Sequence, residues 1–422
     1  MLDVEEARAR ILGHCHKLNS VKVNLIEALG MVLDEEIIAP FDIPSLPNSA
    51  MDGYAALSSD LKTASKDNPT ELMVISYVAA GQLPTAAVST GNAIRIMTGA
   101  PIPYGADVVI PFEKTDEHIR IKTGATDKFI GIHVKGTTGE NIRPAGEDIS
   151  RGQTVLKPGA VMRPPELGVA ASLGRQRVLV FRRPIVSIIS TGDEIIEPGE
   201  EHQPGKVYNS NAYSVAALVK KYGGIPLILE TARDTVESLD NVLKKALDTD
   251  LVITSAGVSK GDYDVVKDVL MKNGEIALWS VRMRPAKPLA FGTLDAGEGI
   301  KVPHLGLPGN PVSAMVAFEQ FGRPMIRKMM GMLPIPKPSV KAVLDDEIIN
   351  HDGRRVYARV IVYLGDGNQY RAKLTGNQSS GVLTSMALAN GLAICPENVS
   401  KIEEGQFVQV EMLDWPEEVW SR

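Results

Sequence analysis

Gly306-Leu307-Pro308-Gly309-Asn310-Pro311-Val312-Ser313-Ala314 is the stretch on which the reading of this chain turns. It follows an apolar run and precedes an amphipathic one, so it joins a strand to a helix. Asn310 reads as the N-cap and Pro311 as the first helical residue, where a missing N–H costs nothing. The glycines let the backbone approach a ligand closely. A helix N-terminus offers unpaired N–H groups and partial positive charge, so such a junction suits an anion. A Gly-rich turn entering a helix is common by itself. Its surroundings decide.

Upstream, Ile185 to Ser190, Pro226 to Glu230 and Leu251 to Thr254 are short apolar runs that read as strands. Asn211 to Tyr222, Thr235 to Leu247 and Val265 to Met271 read as helices, the first stopping at Gly223-Gly224. Strand and helix alternating at this spacing predict a doubly wound parallel sheet from about Arg177. Ligands of such sheets bind at the carboxyl ends of the strands, where the Gly306 loop falls.

The flanks differ. Residues 3–30 read as a helix, a turn and a second short helix over Val21 to Leu29, closed by Gly30. Ile37 to Pro40 is a short strand. Residues 46–145 alternate apolar segments, such as Ala93 to Met97 and Asp107 to Pro111, with Gly and Pro turns. That is the pattern of a small β-rich domain. Residues 150–176 return to a turn and a helix. Met330 to Pro338 is a Pro-rich linker, and the remainder reads as a β domain with strands at Val356 to Tyr363 and Gln406 to Met412. The chain is therefore expected to be an α/β and β multidomain protein.

With 422 residues, 44% hydrophobic and 23% charged, the composition is that of a soluble globular protein of several domains. A net charge of −6 argues against a general nucleic-acid binder. Cys15 and Cys395, far apart, build no disulfide framework or metal cluster, which suits a reducing cytoplasm. The start lacks an apolar signal core and no run is long enough to span a bilayer, so no membrane partner is expected. The seven histidines form no HExxH pair, which argues against a tightly held transition metal.

Four loops of the α/β region share one chemistry. They are Thr191 to Glu194, Ser255 to Asp264, Arg282 to Pro288 and the Gly306 loop. Small residues with free N–H groups cradle phosphate. Arg282, Arg284 and Lys287 would neutralise it. Asp193, Glu194, Asp250 and Asp264 are hard oxygen donors suited to Mg²⁺ beside phosphates. Singly, each acid is an ordinary loop charge or helix cap and the basic cluster an ordinary solvated face. Together they point to a phosphorylated ligand with a divalent metal. The N-terminal half adds polar loops at Pro47 to Ala55, Met97 to Pro103 and Asn141 to Asp148.

Seven strings together resemble the MoeA family, the molybdopterin molybdenumtransferases, which include the E domain of gephyrin. They are Asn48 to Ala55, Arg95 to Pro103, Asn141 to Ile149, Ser190 to Glu194, Gly257 to Asp264, Pro285 to Phe291 and Gly306 to Ala314. They run in the family's order nearly end to end. The resemblance implies an enzyme that inserts molybdate or tungstate into adenylylated molybdopterin with Mg²⁺, releasing AMP and forming molybdenum cofactor. It implies an elongated four-domain homodimer with the active site between subunits. Residues 1–45 and 146–176 would form a discontinuous linking domain, 46–145 an inserted β-rich domain, 177–331 a MogA-like α/β domain and 332–422 a C-terminal β domain.

Carried over residue by residue, the resemblance assigns Asp52 and Thr98 to the N-terminal functional positions, facing the partner subunit's pocket, and Asp148, or Glu147 beside it, to an acidic position of the third loop. Asp264 and Glu194 become the acids that handle metal or pyrophosphate; Asp250, an oxygen donor on the reading of the residues alone, is expected as a third metal ligand. Arg284 becomes a basic phosphate contact; Gly257, Ser259 and Lys287 are expected phosphate contacts on the reading of the residues, and Lys260, a departure from the family, would add one. Pro308, Gly309, Asn310 and Pro311 shape the anion loop, and Arg359 and Ser380 match C-terminal motif positions. Ser280, Ala256 and Lys260 depart from the family's pattern, as does Arg284 where lysine is usual. Two other readings share parts of this one: a molybdopterin adenylyltransferase, which could also be a protein partner, and a gephyrin-like scaffold. The two N-terminal motifs argue against the first. No fused partner domain supports the second.

Overall fold

The computed structural model describes residues 1–124, 128–255, 269, 272–333 and 335–415. They fall into two compact units. One comprises Met1–Asp34, Gly159–Arg163 and the chain from Arg177 onward; the other comprises Glu35–Pro158 and Pro164–Gln176.

In the first unit, helix α1 (Val4–Gly13) buries Val4, Ala7 and Ile11 along one face. Strand β1 (Ser20–Asn24) pairs antiparallel with β2 (Arg177–Phe181). This corrects the helix expected over Val21 to Leu29, of which only Leu25–Ala28 turns, as a 3-10 helix. Ser-Val-Lys-Val-Asn alternates with period two, and its valines favour an extended chain once a partner strand is present. That partner lies too far along the sequence for a local pattern to reveal it.

The central sheet draws on β3 (Ile185–Ser190), β4 (Ile225–Ile228), β5 (Leu251–Ser255), β6 (Gly274–Ser280), β7 (Pro288–Asp295) and β8 (Lys301–Leu307). Their order is β4-β3-β5-β8-β7-β6. Helices α2 (Ser210–Lys221), α3 (Val236–Ala246), α4 (Pro311–Ala317) and α5 (Arg323–Met329) complete the region. The helix expected over Val265 to Met271 falls almost wholly outside the described residues. Strands β4, β3, β5 and β8 are parallel, as expected. Strand β7 is antiparallel to both β8 and β6, which corrects the all-parallel reading. Only residues 296–300 join β7 to β8, too few for a parallel crossover, so the chain returns as a hairpin. Val186, Ile188, Leu251, Ile253, Leu305 and Leu307 pack with α2 and α4 on one face. Ile189, Val252 and Val302 pack with α3 on the other. Burial on both faces is why these strands read as continuous apolar runs.

Downstream, β9 (Ser339–Leu344), β10 (Arg355–Leu364), β11 (Tyr370–Leu374), β12 (Gly391–Cys395) and β13 (Phe407–Met412) form the ring β10-β11-β9-β13-β12, which closes by pairing β12 with β10. Closure leaves this barrel without a free edge.

The second unit holds a five-stranded sheet of Val108–Pro111, Gly53–Ala56, Asn92–Ile96, Thr70–Val78 and Phe129–Ile132, in that order. Asn48–Ser49 pairs with Ile142–Arg143 beside it. Glycine is required at Gly53, since a Cβ there would stand 2.0 Å from the Ile110 carbonyl oxygen. Among the described residues no helix is long and apolar enough to cross a membrane.

Candidate active site at the strand ends

Strands β3, β5, β8 and β6 run in one direction, because β7 reverses the chain twice. The carboxyl ends of these four strands therefore lie along one rim. At its β8 and β6 end lies a cavity of about 710 Å³, walled by Arg284, Lys287, Asn310, Ser313, Arg359 and Ser380 among others. The barrel supplies its far side.

Arg359, on β10, is only 1% exposed. Its Nε donates to Ser385 Oγ at 3.1 Å, and one NH₂ group donates to the carbonyls of Asn377 and Ser379 at 3.2 and 3.1 Å. All three acceptors are neutral, and no described carboxylate pairs with it. Burial pushes its pKa down to about 10, still far above neutrality, so the guanidinium stays charged. Gln378 fixes the loop around it. Its Oε1 accepts the Arg359 N–H at 2.8 Å and its Nε2 donates to the Arg359 carbonyl at 3.2 Å. A buried cation without a counterion is costly unless an anion completes the site.

Arg284 donates to the Ile349 carbonyl at 2.7 Å. Lys287 is exposed and forms no ion pair among the described residues. Glu347 also lines the cavity, but Lys401 holds it at 2.9 Å. Arg282, grouped with these cations in the sequence, instead faces Asp3 at 3.5 Å. Asn310 occupies the N-cap position and Pro311 starts α4, yet the Asn310 side chain makes no cap. It donates to Ser380 Oγ at 3.1 Å, while the Val312 N–H donates to the Ser380 carbonyl at 3.2 Å. The barrel loop thus takes part of the hydrogen bonding expected for a free anion. Pro308 and Gly309 sit just outside the lining.

Glu194 lies along the same rim but two strands away, on the order of 10 Å, and does not line the cavity. Its carboxylate folds over Gly192, whose φ is +144° and whose Cβ, if present, would meet Glu194 Oε2 at 2.5 Å. Asp250 is not at the rim. It precedes β5 at the amino end of the sheet, where Arg182 binds both its oxygens at 2.6 Å and the Ile185 N–H donates to Oδ2 at 2.8 Å. The expectation of Asp250 as a metal ligand is corrected: it is ion-paired with Arg182 at the amino end of the strands, opposite the rim. Gly257, Ser259, Lys260 and Asp264 lie outside the described residues.

One rim residue escaped the sequence reading. Asn211, at the start of α2, donates from Nδ2 to Ser255 Oγ at 2.8 Å and to the Gly309 carbonyl at 2.7 Å. It ties the end of β5 to the loop after β8. The available signal was Asn209-Ser210-Asn211 ahead of an apolar helix, with Asn209 spent on the cap through the Ala212 N–H.

In the second unit, Asp52 and Thr98 meet. The Thr98 N–H and hydroxyl both donate to Asp52 Oδ1, at 2.7 and 2.8 Å. These bonds, the backbone one foremost, hold the exposed Asp52 carboxyl below its ordinary pKa. Asp148 is exposed in a loop pinned by its own N–H to the Ile43 carbonyl at 3.0 Å.

Three family models cover the chain in order. They are the MoeA N-terminal region (domain I and II) over residues 2–174, a probable molybdopterin binding domain over 187–328, and the MoeA C-terminal region (domain IV) over 341–413. Molybdopterin molybdenumtransferase 2 of Mycobacterium tuberculosis H37Rv is 37% identical across 97% of this chain and 99% of its own length. The chain belongs to the MoeA family. The molybdopterin molybdenumtransferase of Nostoc sp. PCC 7120 is 35% identical over 93% of this chain and 88% of its own. The crystal structure of the molybdopterin biosynthesis MoeA protein of Pyrococcus horikoshii OT3 matches with a TM-score of 0.80 at 30% identity, covering 98% of this chain and 100% of that one. The multidomain MoeA fold, with an α/β region between β-rich regions, is thus the fold of this chain.

Proposed function

We propose that this MoeA-family chain inserts molybdate, or tungstate, into adenylylated molybdopterin, releasing AMP and forming molybdenum cofactor. Family membership supports the reaction class. The buried, uncountered Arg359 carries the reading of the cavity: it is the seat of the tetrahedral oxyanion substrate. Arg284 and Lys287 add charge, and Ser313 and Ser380 add hydroxyls. Arginine forks fix a tetrahedral oxyanion in orientation, whereas lysine acts as a point charge.

The adenylylated substrate lies along the rest of the rim, over the loop of Pro308 to Pro311, with Gly257, Ser259 and Lys260 as its expected phosphate contacts. Among the described residues no three His, Cys, Asp or Glu side chains stand together as a metal cage. Mg²⁺ needs no such cage beside phosphates, since one or two carboxylates and the substrate's own oxygens suffice. Glu194 and Asp264 fit that donor set. The ion would offset charge on the phosphoanhydride when bound. In a cytoplasmic homodimer, Asp52 with Thr98, and Asp148, are supplied by the partner copy, and the adenylyltransferase that makes the substrate is the expected protein partner. The division into domains at 1–45 with 146–176, 46–145, 177–331 and 332–422 belongs to the same proposal.

The test is AMP release from adenylylated molybdopterin with Mg²⁺, with and without molybdate or tungstate. Release that depends on the oxyanion, with cofactor formed, supports insertion. Release indifferent to oxyanion, or none from folded protein, overturns it.

A further inference from the structure

A second cavity, of about 300 Å³, lies in the first unit and shares no lining residue with the first. It sits where α4 passes through one π turn, Phe318–Gly322, into α5. That turn buries Glu319 and Gln320. Such turns disturb the helical ladder and recur at functional positions.

Five charged side chains line the cavity: Arg8, Glu319, Arg323, Lys337 and Glu411. Four are occupied. Glu319 accepts from the Tyr222 hydroxyl at 2.9 and 2.8 Å and from the Lys337 ammonium, in a pair whose side chains are 1% and 6% exposed. Glu411 accepts from Gln320 Nε2 at 2.7 Å. Arg8 donates to the Gln320 carbonyl at 3.0 Å and to its Oε1 at 2.6 Å. Arg323 stands apart. It is 9% exposed, its guanidinium is 5.6 Å from the Tyr222 ring centroid, and it has no hydrogen bond or ion pair with any described residue. Arg327, one turn on, is held below its usual pKa by burial and then by the charge of Arg323, so the two guanidiniums repel. Three cations thus face two carboxylates in this lining, and Arg323 is the charged side chain there that no described residue binds.

We propose that this cavity binds a phosphate group, free or carried on a small organic molecule, with Arg323 as the principal contact. The guanidinium fork matches a phosphate's oxygens two at a time. Leu12, Pro324, Ile335, Pro336 and Ile394 give the remaining wall an apolar character that suits an organic body. The volume is at the small end of ligand pockets, enough for one phosphate and a few further atoms. Neither the family resemblance nor the oxyanion seat at the strand ends enters this assignment.

The test is isothermal titration of the full chain with inorganic phosphate and, separately, phenyl phosphate at fixed ionic strength. Wild type, Arg323→Met, Arg323→Lys and Arg359→Met are compared, each checked for fold by circular dichroism. Arg323→Met is expected to weaken at least tenfold a binding event that Arg359→Met retains, and Arg323→Lys to recover part of it. Tighter phenyl phosphate binding assigns the organic carrier, and equal binding assigns the free ion. A folded Arg323→Met that titrates like wild type overturns the proposal, as does a wild type without this event. If Arg323→Met does not fold, wild-type crystals soaked in selenate decide. An anomalous peak within hydrogen-bond reach of the Arg323 guanidinium is expected, and its absence while the strand-end cavity is filled overturns the proposal.

Discussion

Asp250 and Arg359 are both site candidates in the sequence, and their surroundings separate them. Asp250 accepts three short hydrogen bonds at the amino end of the sheet. Asp250→Asn is expected to lower stability by about 1.5–3 kcal/mol, the usual range for a hydrogen bond to a charged group. Urea unfolding measures the loss; the Mg²⁺ dependence of turnover should not move. Asp52 gives a pH prediction. Its folded pKa lies below the unfolded value near 3.9, so the stability it adds is present above that value and fades as pH falls through the folded one. Thr98→Val removes the hydroxyl but keeps the N–H, which is the larger contribution. The Asp52 pKa should rise only part of the way to normal, as read by carboxyl-carbon NMR. A full return to normal would mean that the N–H bond was lost as well. Little of this was legible in the residues themselves. Arg359 sits in Arg-Val-Tyr-Ala-Arg-Val, where alternation alone does not say that a charged side chain faces inward.

At the scale of elements, Gly306 shows why the strand-to-helix junction tolerates so little. A Cβ there would stand 2.7 Å from the Ala290 Cβ and 3.3 Å from both the His304 ring and Thr254 Oγ1. None of these neighbours can swing away, so Gly306→Ala is expected to cost about 1–3 kcal/mol through overpacking. A fall of several degrees in melting temperature would register it. An unchanged melting temperature would mean that β7 and β8 adjust freely. The parallel core was legible because β3 and β5 are buried on both faces, and α2 and α3 separate β3, β4 and β5 along the chain. The β7–β8 hairpin could have been read too, since Asp295-Ala296-Gly297-Glu298-Gly299-Ile300 is too short for a crossover. Strand β1 was legible only in part: Val21 and Val23, two residues apart, share a strand face and not a helix face, but so short an alternation is decided only by its pairing with β2. The N-cap role of Asn310 failed for a related reason, because Ser380 arrives from the barrel.

For the whole molecule, a surface of net charge −6 encloses a cavity whose buried cation no described carboxylate neutralises. The seven strings located the loops and their order. They did not show that the α/β rim and the barrel share one cavity, because that depends on how β10 and the Ser379-Ser380 loop pack against α4. The account's central claim is that Arg359 seats the oxyanion. The measurement that reaches it most directly is the molybdate dependence of AMP release by wild type and Arg359→Met, both checked for fold. Loss of about 1.5–3 kcal/mol of charge-assisted binding should raise the molybdate half-saturation point tenfold or more, with the half-saturation point for adenylylated molybdopterin unchanged. A folded Arg359→Met with the wild-type molybdate dependence would contradict it.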